Sequence, residues 1–249
     1  MTTAVVGLFL AVLIGSMLQR ISGMGVGLIA GPVLSILIGP VQGILVVNIL
    51  AMANAALTTL TVRENVDWKK FASIAPYLVV GAVPGAFLVR ELSTDLLLVV
   101  VGVLLLIALS VVTLGKRYVP QVDGAVPAAV AGVAGGFMNT LAGVAGPAIT
   151  VFAQAARWPQ KVYAATLQPI FMVSGATSFI IKEFTGAANV SSISWQLWAA
   201  GAAAMALGLF AGVRIAPRVP SEKARSMALG LAILGGATAL VRGAAGLAF

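Results

Sequence analysis

The chain has 249 residues, of which 60% are hydrophobic and only 9% charged, with 28 glycines and a formal net charge of +8. A soluble domain carries about a quarter of its residues as charges, so a sizeable soluble domain is excluded. Long uniform apolar runs, in place of ten-residue alternation, exclude a transmembrane β-barrel, and the absence of Cys and His removes disulfides, thiol chemistry and the usual transition-metal ligands.

The first apolar run extends from about Thr3 to Ile38 and is longer than one crossing needs. Inside it, Ser16-Met-Leu-Gln-Arg-Ile-Ser-Gly-Met-Gly-Val-Gly27 places Gln19, Arg20 and three glycines where hydrocarbon is expected. The arms on either side, 4–18 and 28–38, are each too short to span, since about 15 residues reach only ~23 Å of a ~30 Å core. Irregular backbone at membrane depth survives only where protein buries it or water reaches it. The run therefore reads as a re-entrant hairpin, 3–38, whose tip is half of a binding site. The first segment has no basic n-region and no small-residue cleavage site, so no removable signal peptide is expected.

Gly39-Pro40 then turns the chain into spans over 41–62, 71–89 and 96–114, with Ser93 or Thr94 placed to cap the last. The linker 115–124 divides the chain. The plan then repeats, with a hairpin over 125–156 interrupted at 135–143 and spans over 162–181, 194–215 and 224–241. Gly31-Pro32 matches Gly146-Pro147, Asp67-Trp68 matches Ser194-Trp195, and Gly81 and Gly85 fall opposite Gly208 and Gly212. The expected fold is an all-α polytopic membrane protein made of two inverted repeats, 1–115 and 125–249, each a broken helix hairpin plus three transmembrane helices.

An odd number of crossings per half makes the second half enter upside down. The loops 63–70, 115–124, 157–161 and 214–225 then share one face and carry eleven Lys and Arg, against Arg90, Lys182 and Arg242 on the other. That bias places the basic face in the cytoplasm and both termini outside it. It also accounts for the net charge without a nucleic-acid partner. If each arm crossed fully, the parity would be the same, so only arm length favours a re-entrant hairpin.

Two hairpins entering from opposite faces bring their tips together, and each second arm, beginning near Gly25 and Gly143, points a helix N-terminus at the meeting place. Such termini attract anions, and glycine lets a ligand approach the backbone. Arg20 has no embedded carboxylate to neutralise it, because all seven acids lie in loops or at span ends. A guanidinium at membrane depth costs about 2.5–3.5 kcal/mol and faces a cavity, so it reads as an anion site awaiting its anion. The candidate substrate-binding residues are Gln19, Arg20, Ser22, Gly23, Gly25, Asn48, Asn139, Thr140, Gly143 and Gln168. Gly31, Gly81, Gly85, Gly208 and Gly212 read as helix-packing residues. Trp68, Trp195 and Trp198 read as interfacial anchors.

Gly25-Val-Gly-Leu-Ile-Ala-Gly-Pro-Val-Leu34, echoed by Leu141-Ala-Gly-Val-Ala-Gly-Pro-Ala-Ile149, resembles the duplicated glycine-proline signature of the TauE/SafE sulfite exporter family, also called TSUP. The likeness extends over the whole chain in length, duplication and short polar loops. It implies movement of sulfite, thiosulfate, sulfoacetate or another small sulfur-containing or organic anion. Without the cysteines of thiosulfate-handling relatives, a thiol relay is excluded here.

The combined expectation is a multi-pass transporter of the bacterial inner membrane, carrying a small anionic substrate such as sulfite or a sulfonate by alternating access. It needs no cofactor and no metal, and its only obligatory partner besides substrate is the lipid bilayer. A coupling ion (Na⁺ or H⁺) and a homo-oligomer stay open. A passive anion channel of the same fold and a carrier of a non-sulfur carboxylate are the alternatives. An enzyme is not expected, because no nucleophile and base can be assembled at membrane depth.

Overall fold

The computed structural model describes residues 2–114 and 121–248, so Lys116 and Arg117 of the expected linker lie outside the described residues. Ten α-helices follow one another, with no strand among the described residues. They are α1 (Thr2–Ser22), α2 (Val26–Ile38), α3 (Pro40–Val62), α4 (Trp68–Glu91), α5 (Thr94–Leu114), α6 (Ala125–Ala142), α7 (Gly146–Ala155), α8 (Gln160–Thr185), α9 (Trp195–Ile215) and α10 (Ser221–Ala248). Eight are long and apolar enough to cross a membrane; α2 and α7 are not. Each half thus runs long, short, long, long, long.

This corrects the reading of the hairpin arms. Residues 19–22 do not break the first helix but form its last turn, so α1 is 21 residues long and reaches ~31 Å. The break is confined to Gly23, Met24 and Gly25. In the second half Gly135 to Ala142 are helical and the break is 143–145, so only the second arms, of 13 and 10 residues, are short. Gly23 and Gly143 reverse the chain at φ of 92° and 71°, a region that side chains disfavour. These two glycines are 120 residues apart and end α1 and α6 alike, so they are the equivalent pair, in place of Gly25 and Gly143. The Gly-Pro signatures are not equivalent either: Gly146-Pro147 opens α7, whereas Gly31-Pro32 lies in the middle of α2. Proline suits the opening turn, whose N–H groups lack helical acceptors anyway.

Packing follows small residues, as expected where lipid is as apolar as a side chain. Gly81 and Gly85 seat α4 on Val133, Phe137 and Thr140 of α6. Gly208 and Gly212 seat α9 on Leu13, Ser16, Met17 and Arg20 of α1. The contacts of the second pair are those of the first moved by 120 residues, and the three-helix part of each half therefore lies against the hairpin of the other. At the centre α3 packs on α8, and α5 packs on α10. One buried cluster, including Leu8, Val26, Leu45, Ile74, Val144 and Leu167, runs through both halves.

Loop contacts sort the two ends. The Asp67 amide donates to Thr166 Oγ1, the Val122 amide to the Ala155 carbonyl, Lys70 lies over the Trp158 ring and Arg225 over Tyr163. The basic loops therefore meet at one end, the basic end. At the far end Arg242 donates to the Ile36 carbonyl and Gln42 to Ser192. Ser93 caps α5 through the Leu96 amide; Trp68 and Trp195 are exposed, whereas Trp198 is partly buried against the core.

Candidate functional site

The hairpin tips meet. A Cβ on Gly27 would strike the Gly143 carbonyl, and one on Gly31 would come within 2.8 Å of the Ala142 carbonyl oxygen. The first helical hydrogen bond of α2 runs from the Ile29 amide to Gly25, and that of α7 from Ile149 to Ala145. The amides of Gly27, Leu28, Gly146 and Ala148 precede those bonds and have no acceptor within their own helices. Between them lies a central cavity of about 30 Å³, room for a water or two. It is lined by Gln19, Gly25, Gly27, Asn139, Gly143 and Gly146, among others.

Two side-chain pairs flank that cavity, each joining one half of the chain to the other. Gln19 Nε2 donates to Gln168 Oε1 at 3.1 Å, and Gln19 Oε1 accepts the Val26 amide at 3.1 Å. Gln168 Nε2 donates to the Gly23 carbonyl at 2.9 Å and the Ala164 carbonyl at 3.0 Å. Both hydrogens of Gln168 are used, and the pair ties the tip of α1, the start of α2 and the body of α8 together. The other pair is its counterpart 120 residues on. Asn139 Nδ2 faces Asn48 Oδ1 at 3.3 Å, the Ser174 carbonyl at 3.1 Å and Ser178 Oγ at 3.0 Å. Two hydrogens serve three acceptors there, so the link to Asn48 is the weakest. Asn48 Nδ2 and Ser174 Oγ are buried without partners.

Outside the glutamine pair, towards the basic end, a vestibule of about 450 Å³ is lined by Gln19, Arg20, Gly23, Thr58, Asn65, Lys161 and Gln168, with no carboxylate. Arg20 is half-buried here, in the last turn of α1. It makes no ion pair among the described residues, and its Nε is unpartnered. Gln19 lines both the vestibule and the central cavity, so its bond to Gln168 is the partition between them.

Three candidates have other roles. Ser22 Oγ donates to the Leu18 and Met24 carbonyls, 2.9 and 3.0 Å away, and is fully buried. It ties the tip loop and lines neither the central cavity nor the basic-end vestibule. Gly25 edges the cavity, but its Cβ would strike the Gly15 carbonyl and the Gln19 amide, so it is where α1 and α2 backbones touch. Thr140 donates to the Gly136 carbonyl and shares a 2.9 Å bond with Ser178 Oγ; it is not among the residues that line the cavity, although its neighbour Asn139 is.

Two features escape a reading of the residues alone. Ser174 and Ser178 look like any small polar residues in an apolar helix, yet both border Asn139. Lys182, which reads as the charged end of a span, is fully buried within α8, and its Nζ has no partner. Of the three cations expected at the far end, only Arg90 and Arg242 are therefore accessible.

A polytopic helical membrane protein with glycine-rich broken hairpins meeting at an acid-free polar centre is the class these observations define. The family model for the sulfite exporter TauE/SafE matches residues 8–239, and the chain belongs to that family of membrane transporters of sulfite-type anions. No curated protein and no solved structure matches the chain.

Proposed function

We propose that this protein carries sulfite or a small sulfonate across the bacterial inner membrane by alternating access around the hairpin tips. The observation that carries the reading is the basic-end vestibule. An unpaired arginine and Lys161 stand there without a carboxylate, directly outside a polar partition that leads to the unpaired amides of two helix N-termini. An anion entering would meet Arg20 first, through a guanidinium fork suited to two oxyanion oxygens. Separation of Gln19 from Gln168 would then admit it to the amides of Gly27, Leu28, Gly146 and Ala148. The nine Lys and Arg of the described basic loops, against Arg90 and Arg242 at the far end, support placing the basic end in the cytoplasm, which makes the vestibule the cytoplasmic mouth. The exchange of packing partners between halves supports an inverted repeat and a rocking of one half against the other.

The central cavity has room for no more than a water or two, which favours a carrier over a passive channel, whose pore would have to be continuous. Counterflow separates the two. Proteoliposomes of the purified chain, loaded with unlabelled sulfite, should accumulate labelled sulfite transiently and saturably. Linear, non-saturating flux without counterflow would make the protein a channel.

A further inference from the structure

The far side of the tips holds a group of hydrogen-bond donors with nothing to donate to. Asn48 Nδ2, Ser174 Oγ and Lys182 Nζ are all buried and all lack a partner. Ser174, Ser178 and Lys182 recur every four residues on α8 and share one face of it. A helical side chain leans over the turn before its own Cα, which for Lys182 is the turn that carries Ser178. Burial of an unpaired ammonium is among the costliest arrangements a protein can hold. Nothing local relieves it: Lys182 forms no ion pair among the described residues and is 0% exposed, which leaves it no route to snorkel to an interface. Donors without acceptors, one of them a lysine whose neighbour Glu183 is turned to the Val190 amide, are complementary to a small anion.

The arrangement mirrors the vestibule with one substitution. Arg20 ends α1, which runs towards the basic end, and neighbours Thr58 and Val62 in the vestibule lining. Moved by 120 residues, those positions become Thr140, Ser178 and Lys182. The cation has changed helices, from α1 in one half to α8 in the other, and stands at the position equivalent to Val62.

We propose that Lys182, Ser178, Ser174 and Asn48 form a second binding site for a small sulfur oxyanion, closed in this conformation and opened when the far end opens. Its place in a transport cycle rests on the carrier reading above; the site itself rests on the unpartnered donors. In such a cycle the anion passes between Lys182 and Arg20, so that it is never without a cation on either side of the tips.

Two measurements on the full chain test this. In proteoliposomes, Lys182→Gln should slow labelled sulfite transport at least tenfold, while Lys182→Arg stays within about threefold of the wild type. Lys182→Met, which replaces the buried charge by an apolar chain of similar length, should fold and be equally slow. Independently, Ser174→Cys in this cysteine-free chain keeps Lys182 and gives a thiol whose alkylation by a membrane-impermeant maleimide should be slowed by methanesulfonate and left unchanged by choline chloride of equal ionic strength. If Lys182→Gln and Lys182→Met transport at the wild-type rate, or if methanesulfonate leaves the alkylation rate unchanged, the second site does not exist. Should the wild type move no sulfite while methanesulfonate still protects the introduced thiol, the carrier reading falls and the site stands.

Discussion

The two flanks of the central cavity are built from the same positions 120 residues apart, yet they differ in how completely they are satisfied. On the basic side the glutamines use every group they have: a side-chain bond across the halves, an amide capped at the start of α2, and two carbonyls held by Gln168. On the far side one asparagine amide is spread over three acceptors while Asn48, Ser174 and Lys182 are left with donors to spare. A saturated network holds one geometry, whereas spare buried donors are a standing cost that a ligand can relieve. The glutamine flank therefore works as a latch and the asparagine flank as a receptor.

The comparison breaks most decisively if the two flanks do not face opposite sides. Asn65→Cys, at the vestibule mouth, should be protected from an impermeant thiol reagent in intact cells, and Asn189→Cys, at the far end, should react; equal labelling of both would remove the inverted arrangement. Next in size is Arg20. Arg20→Gln should lower sulfite transport at least a hundredfold with folded protein retained in detergent, and Arg20→Lys about tenfold, because the charge survives and the fork does not. Transport at the wild-type rate in Arg20→Gln would make the vestibule incidental.

The latch and receptor assignments differ in stability too. Gln19→Leu strands the Val26 amide and the Gln168 carbonyl oxygen, at about 1–3 kcal/mol for each buried group left unmade. Asn48→Leu removes an amide that is already half unpartnered and should cost under about 1 kcal/mol. Melting curves of the two variants would reverse that order if the latch lay on the other side. Gly25→Val belongs with Gly81→Val and Gly208→Val: each forces apart two backbones, costs about 1–3 kcal/mol by overpacking, and should leave sulfite's protection against heat in place.

The smallest effect concerns helix starts. Asp67 and Ser194 open α4 and α9 at equivalent positions, but only Asp67 caps, through the Lys70 amide at 3.0 Å. That bond, with the Lys70 charge, holds the Asp67 carboxyl below its ordinary value against a smaller effect of burial. Its contribution is therefore present above the ordinary carboxylate range and is lost as pH falls through the lowered value. Asp67→Ala should cost about 1 kcal/mol at neutral pH and much less in acid, while Ser194→Ala should change little at either.

Much of this was visible in the residues, and the exceptions share a cause. Apolar runs marked the long helices because hydrocarbon solvation dictates them, and the glycines at offset 127 marked α4 and α9 because close packing demands small residues. Gln19 and Arg20 suggested a break that falls three residues later: a helix keeps its backbone bonds whatever its side chains are, provided those side chains find Gln168 and a wet vestibule. Lys182 was misplaced for the opposite reason. Next to Glu183 it reads as the end of a span, but packing extends α8 to Thr185 and encloses it. The partners of Asn139 on α8 were hidden because a helical serine usually bonds its own backbone, and only the fold reveals that Ser178 bonds across to Asn139 instead.

The seating of each half's helices on the other half's hairpin also sets an order of assembly. As the chain leaves the ribosome, α4 can dock on α6 once about fifty further residues have been made, closing the Gly81 and Gly85 contacts early. The face of α1 that carries Leu13, Ser16 and Arg20 must wait for Gly208 and Gly212, roughly two hundred residues later. Until α9 arrives, that stripe has only lipid or the insertion machinery to lie against. The first helix synthesised thus waits longest for its partner, and it brings its guanidinium with it.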